Sequence, residues 1–208
     1  MFRRLNQKVK EKVGRATVTR LSAEVEASIQ FTADMKKHLG EMESTVTSAY
    51  GFCSGGGLTK LEKFGQRLDK IAAKKKGTKI GTAAAATASI VQDFSKRDRK
   101  TRADVLAQFC QGFCKAFITT EYKQCQALID YMKKRRLDKD AAANSNKPTE
   151  EVDANFDAAL AECQKAFDLY PEYQQRHAAE VKKLLMIMDK TLQDKIDASS
   201  DCKKTLNI

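Results

Sequence analysis

The sequence predicts an all-α protein, and three observations carry that prediction. Only two prolines and ten glycines occur in 208 residues, so helix breakers are scarce. Ala, Lys, Leu, Gln and Glu are plentiful, while β-branched residues rarely alternate with polar ones. Apolar residues also recur at alternating steps of three and four over long stretches, the spacing of a packed helix face. With 42% hydrophobic residues the chain can bury a sizeable core, and its length suits one domain.

The opening stretch MFRRLNQKVKEKVGRA reads as a cationic amphipathic helix. Phe2, Leu5, Val9, Val13 and Ala16 fall within about 80° of one another on a helical wheel. Arg3, Arg4, Lys8, Lys10, Lys12 and Arg15 occupy the other faces, with Glu11 the only acid. Such a helix suits the interface of an anionic bilayer, with the four large apolar side chains inserting and the cations meeting headgroups. A mitochondrial presequence and a plain first bundle helix are the alternatives, and the absence of serine counts against the first.

A long helix follows through Leu21, Val25, Ile29, Thr32, Met35, Leu39, Met42 and Val46. GFCSGGGLT breaks it, since Gly51 and Gly55 to Gly57 disfavour helix interior. Helix resumes through Leu61, Phe64, Leu68 and Ile71, and AKKKGTKIGT marks the next turn. A second long helix is predicted from about Ala83 to Asp140, with Phe109, Phe113 and Phe117 on one buried stripe. Asn144 to Asn146 end it, and Pro148, Thr149, Glu150 and Glu151 suit the start of a third. That helix carries Val152, Phe156, Leu160, Cys163, Phe167, Tyr170, Tyr173, His177, Val181, Leu184, Met188, Leu192 and Ile196. Pro171 should kink it without ending it, because the stripe continues on both sides. His177 lies on the stripe and reads as packed, not as a ligand or base. Three helices of roughly 50 residues would each be about 75 Å long. So thin a bundle leaves an apolar stripe uncovered unless it pairs with a copy of itself, so a homodimer is expected.

The formal charge of +11 calls for a polyanionic partner. Residues 1–20 hold seven cations against Glu11, and residues 60–80 hold eight against Glu62 and Asp69. Residues 150–180 invert this with eight acids against Lys165 and Arg176, which segregates a basic surface from an acidic one. The cysteines, at 53, 110, 114, 125, 163 and 202, form no CxxC pair and no metal-like cluster with His38 or His177. They read as free thiols of a cytosolic protein, mostly small core residues. No apolar run approaches the length needed to cross a bilayer. No phosphate-cradling loop, paired carboxylates or metal motif suggests an enzyme, and no cofactor is expected.

Several ordered pieces resemble the BAR domain family, and within it the N-BAR group of endophilin and amphiphysin. QKVKEKVG resembles the junction between the family's amphipathic leader and its first bundle helix. EKFGQRL, from Glu62 to Leu68, resembles the segment after a mid-helix insert. IDYMKKRRLDKDAA resembles the basic end of the second helix, with Asp138 and Asp140 as its acidic pair. FDAALAECQKAFDLYPEYQQR resembles the third helix, with Pro171 at a kink. The resemblance implies an elongated, kinked, antiparallel three-helix coiled coil that forms a crescent-shaped homodimer. It divides the chain into an inserting segment (1–17), a BAR domain (18–200) and a tail (201–208).

It further implies a cytoplasmic, peripheral membrane protein that binds anionic phospholipid through a basic concave face and senses or induces curvature, as in endocytosis or vesicle trafficking. The leader would be disordered in solution and fold in the lipid. By position, headgroup contacts carry over to Lys133, Lys134, Arg135 and Arg136, with Lys139 and Lys147 as weaker ones at the tip. Four consecutive residues point all round a helix, so two or three of the run are expected to face the membrane. Whether a partner-recruiting module accompanies the domain stays open. A helical dimeric scaffold without lipid affinity is the alternative. A nucleic-acid-binding helical protein is weaker, because no aromatics interleave with the basic clusters.

Overall fold

In the computed structural model, residues 4, 7, 9, 11, 18–51, 58–145 and 147–206 are described, and all their regular structure is helical. The helices are α1 (Ala23–Tyr50), α2 (Lys60–Lys74), α3 (Lys79–Val105), α4 (Ala116–Thr119), α5 (Glu121–Ala143), α6 (Glu150–Phe167) and α7 (Tyr170–Leu206). A π-helical segment, Leu106–Lys115, joins α3 to α4. By contacts the chain divides into two units, Met1–Glu41 with Lys115–His177, and Met42–Cys114 with Ala178–Ile208.

In the first unit, the N-terminal half of α1, α5 and α6 form an antiparallel set. Thr19 bonds Asp140 near one end of the α1–α5 pair, and Thr32 meets Cys125 farther along it. Lys139 pairs with Asp153 across α5 and α6. The α1 stripe buries Val25, Thr32, Met35 and Leu39. Cys125, Ile129 and Met132 of α5 and Phe156, Ala159, Cys163 and Phe167 of α6 are buried as well. Tyr170 closes this core, its ring 5.0 Å from that of Phe31 and 5.4 Å from that of Phe167. Its hydroxyl bonds the hydroxyl of buried Thr32 and lies 3.2 Å from the Cys125 sulfur. Tyr170 thus fills apolar space while its polar end finds partners, as a buried tyrosine must.

In the second unit, α2 and α3 form an antiparallel hairpin. Thr59 caps α2 in a reciprocal capping box with Glu62. The same Glu62 receives Arg99 of α3 in an ion pair at 2.7 Å, and hydrogen bonds from Arg99 hold its carboxyl below the usual range. Gly65 lets the helices close up: a Cβ there would stand 3.2 Å from the Val91 side chain. Cys110 of the π segment meets Thr47 near the end of α1, with 3.6 Å from Thr47 Oγ1 to its sulfur. In the middle of α3, the Lys195 ammonium lies over the Phe94 ring at 5.9 Å.

Three features depart from the sequence reading. The second long helix is not one α-helix: it widens into the π segment and breaks at Thr120 (φ −112°, ψ −88°). With i→i+5 bonding, a step of four residues falls short of a full turn where an α-helix overshoots. The residues at 109 and 113 and those at 110 and 114 are accordingly all buried. The third helix ends at Phe167 and restarts at Tyr170, so Pro171 stands in the first turn of a new helix and does not kink a continuous one. A proline ring clashes with the carbonyl four residues back, here that of Phe167, which is where α6 stops. Finally, the stripe of α7 is covered only as far as Leu184. Leu185, Met188, Leu192 and Ile196 are exposed, Leu192 at 58% and Ile196 at 61%.

Four of the six cysteines and His177 are packed as the sequence suggests. Cys110, Cys114, Cys125 and Cys163 are free and buried; Cys53 and the side chain of Cys202 lie outside the described residues. Burial pushes the Cys114 thiol up to about 12 and Cys163 up to about 11. His177 packs edge-on against Phe117, with ring centres 4.7 Å apart.

Candidate functional site

The basic end of α5 takes its layout from one helical stripe. Cys125, Ile129 and Met132 face the core, and the same steps of three and four reach Arg136 and then Asp140. Arg136 is therefore turned inward although it belongs to a run of four cations, and Asp140 is 3% exposed. Lys133 and Lys134 follow the buried Met132 onto the opposite face and are exposed.

Each inward cation meets an acid. Arg136 reaches Glu11 of the opening segment at 3.3 Å and Asp140 at 3.8 Å. Arg135 lies 3.6 Å from Asp138 and 4.8 Å over the Tyr131 ring. Lys139 pairs with Asp153 of α6 at 3.2 Å and covers the Phe156 ring; hydrogen bonds from Thr149 and Lys139 lower the Asp153 carboxyl. Asp140 accepts hydrogen bonds from the Thr19 backbone N–H at 2.9 Å and from its hydroxyl at 2.5 Å. This ties the approach to α1 against α5.

The opening segment is helical at its described residues, Arg4, Gln7, Val9 and Glu11. Arg4 donates from Nε and Nη2 to the two carboxylate oxygens of Asp138 at 2.7 and 2.6 Å, a bidentate fork that raises the guanidinium pKa further. Gln7 is buried and donates to Glu11. Val9 is 54% exposed. Phe2, Arg3, Leu5, Lys8, Lys10, Lys12 and Val13 lie outside the described residues.

Of the predicted headgroup contacts that are described, Arg4, Arg135, Arg136 and Lys139 thus have acidic partners within the chain. Among the described residues no acid pairs with Lys133, Lys134 or Lys147, and all three are exposed. Lys133 and Lys134 border a cleft of about 440 Å³ that Glu11, Leu21, Asp130, Arg136 and Leu137 complete. Two exposed ammonium groups can hold an anionic oxygen group without selecting its geometry, since lysine acts as a mobile point charge, against the opposing charge of Glu11 and Asp130 in the same cleft. Sequence reasoning missed Glu11, Thr19 and Asp130 as members of this site. The stripe reaching Arg136 and Asp140 was the available signal.

Among the described residues no group of three or more His, Cys, Asp or Glu side chains is placed to hold a metal ion. No described helix is long and apolar enough to cross a membrane. The chain matches no family model and no curated protein.

Proposed function

We propose that the chain is a homodimeric membrane-binding protein of the N-BAR type, docking on anionic bilayers through basic residues and sensing or inducing curvature. The observation that carries this reading is the exposed pair Lys133 and Lys134, neither of them ion-paired with a described acid, whereas Arg135, Arg136 and Lys139 each meet an acid within the chain. Each lysine brought to an anionic surface contributes on the order of 1 kcal/mol. A dimer presenting both copies adds avidity. The uncovered apolar stripe of α7 supports self-association, and the antiparallel packing of α1, α5 and α6 suits the bundle that the family resemblance implies.

Insertion of the opening segment has a specific requirement. The Arg4–Asp138 and Arg136–Glu11 pairs must part first, and lipid phosphates replace the carboxylates as partners of the two arginines. Docking by Lys133 and Lys134 brings those phosphates close. The segment then buries its apolar face as a wedge, about 1.5–3 kcal/mol at most for each large side chain.

Co-sedimentation with vesicles of phosphatidylserine and phosphatidylcholine tests the reading. Lys133→Glu with Lys134→Glu is expected to weaken binding at least tenfold, on the order of 1 kcal/mol for each lysine lost. A variant lacking residues 1–16 is expected to bind without forming tubules under negative stain. Failure of the unmodified chain to sediment at moderate salt overturns the proposal. The extent of internal ion pairing at 135–139 would then favour the alternative, a helical scaffold without lipid affinity.

A further inference from the structure

The turn between α2 and α3 carries a second basic surface, built differently from the first. From Lys70 to Gln92 the chain has five lysines and neither an acid, an arginine nor an aromatic residue. Lys74, Lys75, Lys76 and Lys79 are all exposed, and among the described residues none of them has an acidic partner. Ile80 stands among them 65% exposed, more than any other large apolar side chain among the described residues. The first turn of α3 contains no acid, so the positive end of a 27-residue helix adds to the lysines.

The turn is also firmly closed. Gly77 takes φ +79°, a conformation that glycine adopts at little cost. Thr78 donates its hydroxyl to the Lys75 carbonyl at 2.7 Å and accepts from the Gly81 N–H at 3.1 Å. Gly81 comes so close that a Cβ would stand 2.0 Å from the Lys75 oxygen. Lysines and isoleucine are thus presented on a preformed tip, which reduces the ordering cost of binding.

An exposed isoleucine next to exposed lysines in one turn matches the bilayer interface. The apolar side chain enters below the headgroups while flexible lysine stems keep their ammonium groups at the phosphates. Nucleic acid fits less well, because the tip lacks the aromatic platforms and arginine forks that grip it. Lysines alone would serve solubility and do not account for a bare isoleucine in their midst.

We propose that the α2–α3 turn is a membrane-docking point in its own right, inserting Ile80 into the headgroup layer of an anionic bilayer with Lys75, Lys76 and Lys79 on lipid phosphates. This rests on the membrane-binding reading above and adds a second contact to it.

The chain contains no tryptophan, so Ile80→Trp in the full chain gives the tip the molecule's only indole. With vesicles of equal parts phosphatidylserine and phosphatidylcholine, the indole emission of this variant is expected to shift to the blue and to be quenched by lipids brominated near the headgroup. In the unmodified chain, Lys75→Glu, Lys76→Glu and Lys79→Glu should each weaken sedimentation about fivefold. Sedimentation of the Ile80→Trp variant with an unchanged, water-like indole spectrum would overturn the tip proposal and leave the membrane reading standing. If the chain does not sediment at all, both fall. An indole response to duplex DNA but not to vesicles overturns the proposal in favour of nucleic acid.

Discussion

Tyr170 meets requirements that no apolar residue at its position could. Its ring packs between Phe31 and Phe167, and its hydroxyl is a partner for Thr32 and Cys125. Burial, with Cys125 beside it, raises its pKa well above the ordinary phenol value. Tyr170→Phe keeps the ring but removes one hydrogen bond from the buried Thr32 hydroxyl, which still donates to the Ser28 carbonyl at 2.8 Å. The expected cost is roughly 0.5–1.5 kcal/mol, read from urea unfolding. His177 gives a pH-dependent counterpart. Burial, aided by Arg176 and opposed by Glu121, holds its imidazole below the usual 6.5. As pH falls past that value the unfolded chain takes up the proton first, so stability drops until the folded-state pKa is reached. His177→Gln is expected to flatten this loss as pH falls from neutral, as urea midpoints will show. Composition and spacing placed both residues on the buried stripe. Neither indicates that Thr32 would meet Tyr170 across 138 positions, because such a pairing depends on how separate helices align.

At the level of elements, helix starts and turns were the most legible, because their chemistry is local. Glycines and lysines marked the α2–α3 turn, and Pro148 and Thr149 marked the approach to α6. Where an element's form depends on what it packs against, the pattern misled. The spacing of Phe109, Phe113 and Phe117 suits an α-helix as well as the π segment that forms, and Pro171 suits a kink as well as a restart. Two or three cations of the 133–136 run were expected to face outward, and the stripe through Ile129 and Met132 turns Arg136 toward Asp140. The α2–α3 turn supplies a direct test of local closure. Gly81→Ala pushes a methyl group against the Lys75 carbonyl and is expected to cost about 1–3 kcal/mol as overpacking. Gly77→Ala, at φ +79° in open space, should cost only the backbone strain, about 1–2 kcal/mol. Thermal unfolding of the two variants measures both.

For the molecule as a whole, the proposed dimer makes the uncovered side of α7 the region to probe. Leu185, Met188, Leu192 and Ile196 are spaced as a seam, and covering such residues yields about 1.5–3 kcal/mol each. Leu192→Asp with Ile196→Asp is expected to raise the dimer dissociation constant more than about a hundredfold. Sedimentation equilibrium reads that change, and circular dichroism checks that the helices persist. A chain already monomeric without the substitutions would contradict the dimer. The sequence indicated an uncovered stripe through the length of its helices, but assigned Met188, Leu192 and Ile196 to the same face as Leu184. Only the packing of the second unit separates them.

The arrangement around Glu62 bears on the order in which the chain acquires structure. One carboxylate completes the cap of α2 and receives Arg99 only 37 positions away, across a turn closed by Thr78 and Gly77. Contacts so near in sequence cost little loop entropy, so this hairpin can form before distant parts of the chain have met. The Arg4–Asp138 pair spans 134 positions, so it is expected to form late in assembly. Loosening the cap with Thr59→Ala should therefore slow refolding, whereas Arg4→Ala should leave refolding nearly unchanged and quicken unfolding. The hairpin that carries the exposed lysines and Ile80 would then be presented early, while the rest of the chain is still searching for its partners.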